Sequence, residues 1–239
     1  MCKDVKTTVG ERASEAMHDG CALRPDGVIF DLDGTLWDET AVTERAWVEV
    51  LARHPKVKSE LPLDREHVRR YMGLTNEELA EVFFPSLPFE EAFSLMRESC
   101  EIENRLLPVC GGTLYDGVGE TLCELRERGY RLFIVSNCQD GYIEAFLCAH
   151  GFGELFEDIE CSGRTGMTKA RNLQLVMERN GLRRAILVGD TISDGAAARE
   201  VGIPFVYALY GFGEQCGRGR TSDYDIGIGT FKALRYVLG

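Results

Sequence analysis

Short apolar runs rich in β-branched or aromatic residues recur along this chain, and between them stand segments of helical spacing that stop at a glycine. Val28-Ile29-Phe30, residues 131–135, residues 185–188 and residues 204–208 are the runs, each close to a glycine or a polar terminator, and they read as buried strands. Val118, Leu122 and Leu125 repeat at i, i+4 and i+7 ahead of Gly129, and Tyr142–His150 runs to Gly151. Leu173, Val176 and Met177 line one face of a helix expected from near Thr168 to Gly181, and residues 196–201 form a short Ala-rich helix ending at Gly202. Strands alternating with helices of this length predict a parallel α/β sheet of Rossmann-like type with right-handed crossovers.

One stretch breaks the alternation. From about residue 38 to 110 the pattern is helical, with candidates at 41–53, 64–72, 76–84 and 89–106 and with Pro55, Pro62, Pro85, Pro88 and Pro108 as punctuation. This predicts an all-helical subdomain inserted immediately after the first strand. The expected division is a tail at 1–24, an α/β core of 25–38 and 111–239, and a helical insertion at 39–110. In the tail only residues 11–17 are compatible with a helix.

Composition narrows the partners. The 239 residues are 44% apolar, enough for a sizeable core, and carry a formal charge of −12 from 27 basic and 39 acidic side chains. Nucleic acid and anionic membrane surfaces both demand a basic face, so neither is expected as a partner. An acidic protein that takes an anionic ligand needs a bound divalent cation or a few local basic groups. The nine cysteines, Cys2, Cys21, Cys100, Cys110, Cys123, Cys138, Cys148, Cys161 and Cys216, are odd in number and contain no CxxC pair. They read as reduced core thiols rather than a disulfide framework or zinc cluster, which implies a reducing compartment. The N-terminal residues are polar and mixed in charge, and no run approaches the roughly 20 apolar residues of a membrane span. Cytoplasmic localisation and a monomer or homodimer are the expectations.

Ligands of open α/β sheets bind outside the carboxyl ends of the strands. At those ends stand Asp31 and Asp33 on either side of Leu32, then Ser136 and Asn137, then Gly189, Asp190 and, four residues on, Asp194, while Lys169 opens the helix that precedes residues 185–188. Three carboxylates brought together repel unless a divalent cation holds them, and hard oxygen ligands select Mg²⁺. Such a set suits phosphoryl transfer: one carboxylate attacks, a second moves protons, and Ser136 and Lys169 meet the phosphoryl oxygens.

Asp31-Leu32-Asp33-Gly34-Thr35, Ser136-Asn137, Lys169 and Gly189-Asp190-Thr191-Ile192-Ser193-Asp194 resemble, in order, the four motifs of the haloacid dehalogenase-like hydrolase superfamily. The helical insertion resembles the cap of its phosphoglycolate phosphatase and β-phosphoglucomutase branch. The resemblance implies Asp31 as nucleophile and metal ligand, and Asp33 as general acid/base whose backbone carbonyl ligates the metal. It further implies Gly34 and Thr35 in the turn behind the nucleophile and beside the substrate, Ser136 and Asn137 as the phosphate-binding pair, Lys169 as the charge-neutralising lysine and Asp190 as the acidic metal ligand. Asp194 has two readings, as an outer residue orienting Lys169 or a metal-bound water, and as an ordinary residue of a helix N-terminus. Family members that cleave carbon–halogen bonds lack an acid at the position of Asp33, so a small-molecule phosphomonoester is the expected substrate. A sugar phosphomutase and a non-catalytic phospho-ligand sensor are the alternatives.

Four smaller expectations complete the picture. Cys138, two residues past Ser136, reads as structural. His18, His54, His67 and His150 fall outside every motif and read as surface or cap residues. Tyr207, Tyr210 and Phe212 read as core and loop packing. The stretch Arg69-Arg70-Tyr71-Met72-Gly73-Leu74-Thr75 resembles the substrate-facing loop of this branch, and its arginines serve either an anionic substrate or the end of their own helix.

Overall fold

Val28, Ile29 and Phe30 are fully buried because they lie on an inner strand of a six-stranded parallel sheet. The computed structural model describes residues 24–213 and 224–239. Expectations for the tail before Arg24, with Cys2, His18 and Cys21, and for Cys216 lie outside the described residues.

The chain begins with β1 (Gly27–Phe30), β2 (Trp37–Asp38), α1 (Thr40–Arg53), α2 (Arg65–Tyr71), α3 (Asn76–Phe83), α4 (Phe89–Cys110) and β3 (Thr113–Leu114). It continues with α5 (Val118–Glu127), β4 (Leu132–Ser136), α6 (Tyr142–His150), β5 (Asp158–Cys161), α7 (Ser162–Thr165) and α8 (Lys169–Asn180). The last elements are β6 (Ala185–Gly189), α9 (Ile192–Val201), β7 (Phe205–Ala208), β8 (Ile226–Ile228), a 3₁₀ turn (Phe231–Ala233) and α10 (Leu234–Val237). The sheet order is β5-β4-β1-β6-β7-β8. The chain therefore winds outward from β1 in one direction and then in the other, which makes the carboxyl end of β1 a topological switch point. Alternate residues of each inner strand face opposite layers. Val28, Phe30, Leu132 and Ile134 pack with α5, α6 and the C-terminal turn, whereas Ile29, Phe133, Val135 and Leu187 pack with α8 and α9.

Strands β5 and β8 were not evident as apolar runs because they are the two edges of the sheet, and edge strands carry polar residues. β5 reads Asp-Ile-Glu-Cys, and its buried Glu160 is answered by the Arg179 guanidinium at 2.7 Å. Helix α9 starts four residues before the expected Ala196, because Thr191 caps it and exchanges hydrogen bonds with Asp194 in a capping box. Helix α4 runs past the expected end at 106 and through Pro108, whose missing N–H costs one bond in the last turn, before the Gly111 N–H closes on the Leu107 carbonyl at 2.8 Å.

Helices α1 to α4 form the helical layer, with a core of their own built from Ala46, Trp47, Val50, Phe83, Phe84, Leu95 and Met96. The Trp47 ring lies 4.9 Å from Phe83 and stacks on Phe84 at 5.9 Å. Two crossings join this cap to the sheet domain, and they are paired with each other. β2 and β3 form a short antiparallel ladder, Trp37 against Leu114 and Asp38 against Thr113, and Gly112 passes so close to Trp37 that a Cβ there would lie 2.7 Å from the indole.

Six described cysteines are free thiols. Cys100 and Cys161 are buried and Cys138 partly so, but Cys110, Cys123 and Cys148 are exposed, which corrects the expectation of core thiols. His54 and His67 do sit in the cap, against Glu98 at 2.7 Å and Asp64 at 2.8 Å. His150 does not fit its expected class: it ends α6 with its ring 5.6 Å from Trp37 and 5.2 Å from Phe146. Among the described residues no helix is long and apolar enough to cross a membrane.

The inner half of α4 lies on α6 and carries Glu103 into the seam between cap and core. Its carboxylate accepts from the Ser99 hydroxyl at 3.1 Å and from the Gln139 amide at 3.0 Å. Burial pushes its pKa from the ordinary 4.5 up to about 7. A carboxyl raised on folding favours the folded state fully below its ordinary pKa, and that contribution is lost as pH rises through about 7. Glu103→Gln, which does not titrate, is expected to gain on the parent by on the order of 2–3 kcal/mol between pH 4.5 and 8. Urea unfolding at the two pH values measures it, and an equal difference at both would refute the assignment.

Candidate active site

The site is built where β1 stops. The Asp31 N–H donates to the Val188 carbonyl at 2.8 Å, extending the ladder with β6 by one residue. The chain then folds tightly on itself, with the N–H groups of Thr35 and Leu36 both returning to the Leu32 carbonyl, at 3.2 and 2.8 Å. Leu32 is fully buried in the core. Anchoring it there leaves the residues on either side, Asp31 and Asp33, to line the pocket between sheet and cap.

Asp31 and Lys169 form an ion pair at 2.6 Å, and the same ammonium reaches Asp194 at 2.5 Å. All three groups are buried. Lys169 occupies the first turn of α8, where the helix dipole disfavours a cation, and two carboxylates outweigh that penalty. Asp194 touches both Lys169 and the start of α9. One of its oxygens holds Lys169, while the other accepts from the Thr191 N–H at 2.9 Å and the Thr191 hydroxyl at 2.6 Å.

Asp190 is inaccessible to solvent. One oxygen accepts from the Thr35 hydroxyl at 3.3 Å, and the other from the backbone N–H groups of Phe212 and Gly213 at 2.7 and 3.3 Å. Gly34 has φ of +78°, and a Cβ on it would sit 2.1 Å from an Asp190 oxygen, so both its conformation and its proximity require glycine. Gly34 and Thr35 thus occupy the turn behind Asp31, but they serve Asp190 and do not face the pocket. Tyr207, Tyr210 and Phe212 pack as expected. Tyr210 in addition donates to the Thr35 carbonyl at 2.8 Å.

The Asp33 carboxylate faces away from this cluster and accepts from Trp37 Nε1 at 2.7 Å and the Tyr142 hydroxyl at 2.9 Å. Both bonds fall on one oxygen of that carboxylate. Ser136 is buried at the end of β4, with its hydroxyl accepting from the Cys138 N–H at 3.3 Å. Asn137 joins the cap: its amide donates to the Gly73 carbonyl at 3.1 Å and its oxygen accepts from Ser162 at 3.1 Å. Arg69 pairs with Asp38 and Arg70 with Glu66. Neither arginine lines the pocket, whereas Tyr71, Met72, Gly73 and Leu74 of the same stretch do.

Burial and the neighbouring Asp194 push the Asp31 carboxyl up to about 7 against the opposing pull of Lys169. Burial raises Asp33 to about 6, and Asp190 is held well above the usual carboxylate range by burial and by the charges of Asp31 and Asp194. These carboxyls are short of positive charge. Oxygens of Asp31, Asp190 and Asp194 lie within 4.8 Å of one another, and all three residues are buried. An all-oxygen set of three acids against one ammonium fits a hard divalent cation.

Three contributors had no signal in the sequence. Tyr142 and Trp37 bind Asp33 from elements with no motif of their own, and the N–H groups on Asp190 belong to a loop that tertiary folding alone brings there.

The match to known proteins follows this geometry. Residues 28–208 fit the family model described as haloacid dehalogenase-like hydrolase. A phosphoglycolate phosphatase of Synechococcus elongatus is 30% identical over 190 residues, 79% of this chain and 85% of that protein. A 5'-nucleotidase of Pseudomonas aeruginosa is 26% identical, over 81% of this chain and 87% of its own. The crystal structure of CbbY from Rhodobacter sphaeroides in complex with phosphate superposes with a TM-score of 0.72 at 21% identity, covering 88% of this chain and 96% of that one, and shows the shared fold. With its motifs assembled at the sheet's switch point under a helical cap, the chain belongs to the haloacid dehalogenase-like hydrolase family.

Proposed function

We propose that the protein is a Mg²⁺-dependent phosphatase that hydrolyses a small phosphomonoester through an aspartyl-phosphate intermediate, with residues 39–110 as the cap over a core of 25–38 and 111–239. One observation carries this reading. A buried carboxylate, Asp31, is paired with Lys169 at 2.6 Å, and a second carboxyl, Asp33, stands two residues on, with its side chain held by separate donors on the floor of the same pocket.

Asp31, Asp190 and the Asp33 carbonyl would hold the Mg²⁺, with Asp194 behind them. When bound, the cation would cancel charge on the phosphoryl oxygens and let a carboxylate approach them. Asp31 attacks phosphorus in line as the ester P–O bond breaks, and the Asp33 carboxyl gives its proton to the departing oxygen. Asp33 then takes a proton from water, whose oxygen attacks the phosphorus of the acyl phosphate. Inorganic phosphate leaves and Asp31 is regenerated. Lys169 holds Asp31 in line and, with the Ser136 hydroxyl and Asn137 amide, meets charge on the phosphoryl group. Trp37 and Tyr142 fix the Asp33 rotamer throughout.

Relatives with phosphatase and nucleotidase names support a small ester as substrate. The acidic composition supports a protein that binds neither nucleic acid nor membrane. Exposed free thiols at Cys110, Cys123 and Cys148 support a reducing, cytoplasmic setting for a monomer or homodimer.

An aryl phosphate with Mg²⁺ is expected to release inorganic phosphate, and a hexose 1-phosphate to give free phosphate rather than the 6-phosphate. Asp31→Asn should lower release at least about 10³-fold and abolish covalent labelling from a ³²P ester. Asp33→Asn should cost about 10²- to 10⁴-fold in turnover and leave Mg²⁺ binding by calorimetry intact. Loss of that binding would refute the division of roles. Chelation should remove activity and added Mg²⁺ restore it; full activity in excess chelator would refute the metal requirement.

A further inference from the structure

The pocket above Asp31 and Asp33 has an acidic far wall. Glu39, at the foot of α1, is 1% exposed and lines this pocket. One of its oxygens accepts weakly from the Thr43 hydroxyl at 3.4 Å, and the other, Oε2, is buried with no hydrogen-bond partner. A buried carboxylate oxygen without a donor costs roughly 1–3 kcal/mol or more, so such groups call for a partner. Glu103 lines the same pocket from α4, 7% exposed. Asp33, Glu103 and Asp38 all push the Glu39 carboxyl upward, in addition to its burial.

Lys169 supplies the lone ammonium among the lining residues, and Asp31 and Asp194 already hold it. An ester whose leaving group carries a second anion, such as a carboxylate, would put that charge beside Glu39 and Glu103 with no free guanidinium or ammonium among the described lining residues to meet it. A leaving group with a primary ammonium brings one positive charge to this wall and an N–H donor to the unpartnered Glu39 oxygen. The Trp47 and Phe83 side chains line the same space and offer aromatic cover for the carbon chain and the cation.

Given the phosphatase reading above, on which this rests, we propose that Glu39 is the specificity-determining residue of the pocket and receives a primary ammonium on the leaving group, so that the preferred substrates are phosphate monoesters of amino alcohols or amino sugars.

The test compares kcat/KM for matched pairs with the full-length protein and Mg²⁺. The pairs are O-phosphoethanolamine against ethyl phosphate and glucosamine 6-phosphate against glucose 6-phosphate, with 2-phosphoglycolate as the anionic case and p-nitrophenyl phosphate reporting on the chemistry itself. A charge-assisted hydrogen bond predicts that in at least one pair the amine is preferred by about 10- to 100-fold, with 2-phosphoglycolate below both members. In Glu39→Gln that ratio should fall to within about threefold of one, a comparison internal to each enzyme and independent of how much of the variant folds. Ratios near one in both pairs, or a preference for 2-phosphoglycolate, in a wild-type enzyme that turns over the aryl ester would overturn the ammonium assignment and leave the phosphatase reading standing. Absence of release from every ester, the aryl one included, would overturn the phosphatase reading and this inference with it.

Discussion

One ammonium group holds the site together. Lys169 stands between Asp31 and Asp194, and without it three buried carboxylates would share the end of a sheet with no fixed charge to oppose them. The arrangement depends on the fold at several removes. Thr168 begins α8 beside the end of β4, β6 delivers Asp190 next to Asp31, and the capping box at Thr191 turns Asp194 back toward the lysine. None of these residues is long enough to reach the cluster from another place in the sheet. The parallel order around β1 is thus a condition for the chemistry as well as for the core.

The remaining imbalance has chemical meaning at both ends of the pocket. At the sheet end, three acids against one base leave room for a divalent cation. At the cap end, Glu39 and Glu103 share a lining whose one described cation, Lys169, is already held by Asp31 and Asp194. The same shortage of positive charge therefore points to a metal on one side and to a cationic or strongly donating ligand on the other. A chain of net charge −12 meets its anionic substrate through a locally built site, while its general surface repels one.

The motif residues were legible in the sequence because each follows an apolar run, and the end of a buried strand in a parallel sheet is where polar side chains converge. Asp31 after Val28-Ile29-Phe30 and Asp190 after residues 185–188 are the clearest cases. What escaped detection did so for definite reasons. β5 and β8 are edge strands: β5 alternates with charge and β8 is only Ile-Gly-Ile, so neither forms an apolar run. β2 and β3 are two residues each and exist only through pairing with one another. Tyr142, Trp37, Glu39 and the backbone donors at Phe212 and Gly213 are recruited by tertiary approach, and no spacing rule connects position 39 with 103 or 190 with 212. Asp194 shows the reverse case: two readings competed in the sequence because a carboxylate has two oxygens, and here one meets Lys169 and the other the capping box.

The pairing of β2 with β3 ties the two covalent crossings between cap and sheet into a single strap. Two independent tethers would let the cap slide, twist and lift separately. Trp37 belongs to that strap, and its indole N–H donates to the Asp33 carboxylate. The strap and the Asp33 side chain are thereby joined through a single residue. A displacement of the strap would therefore be felt at the indole that holds Asp33.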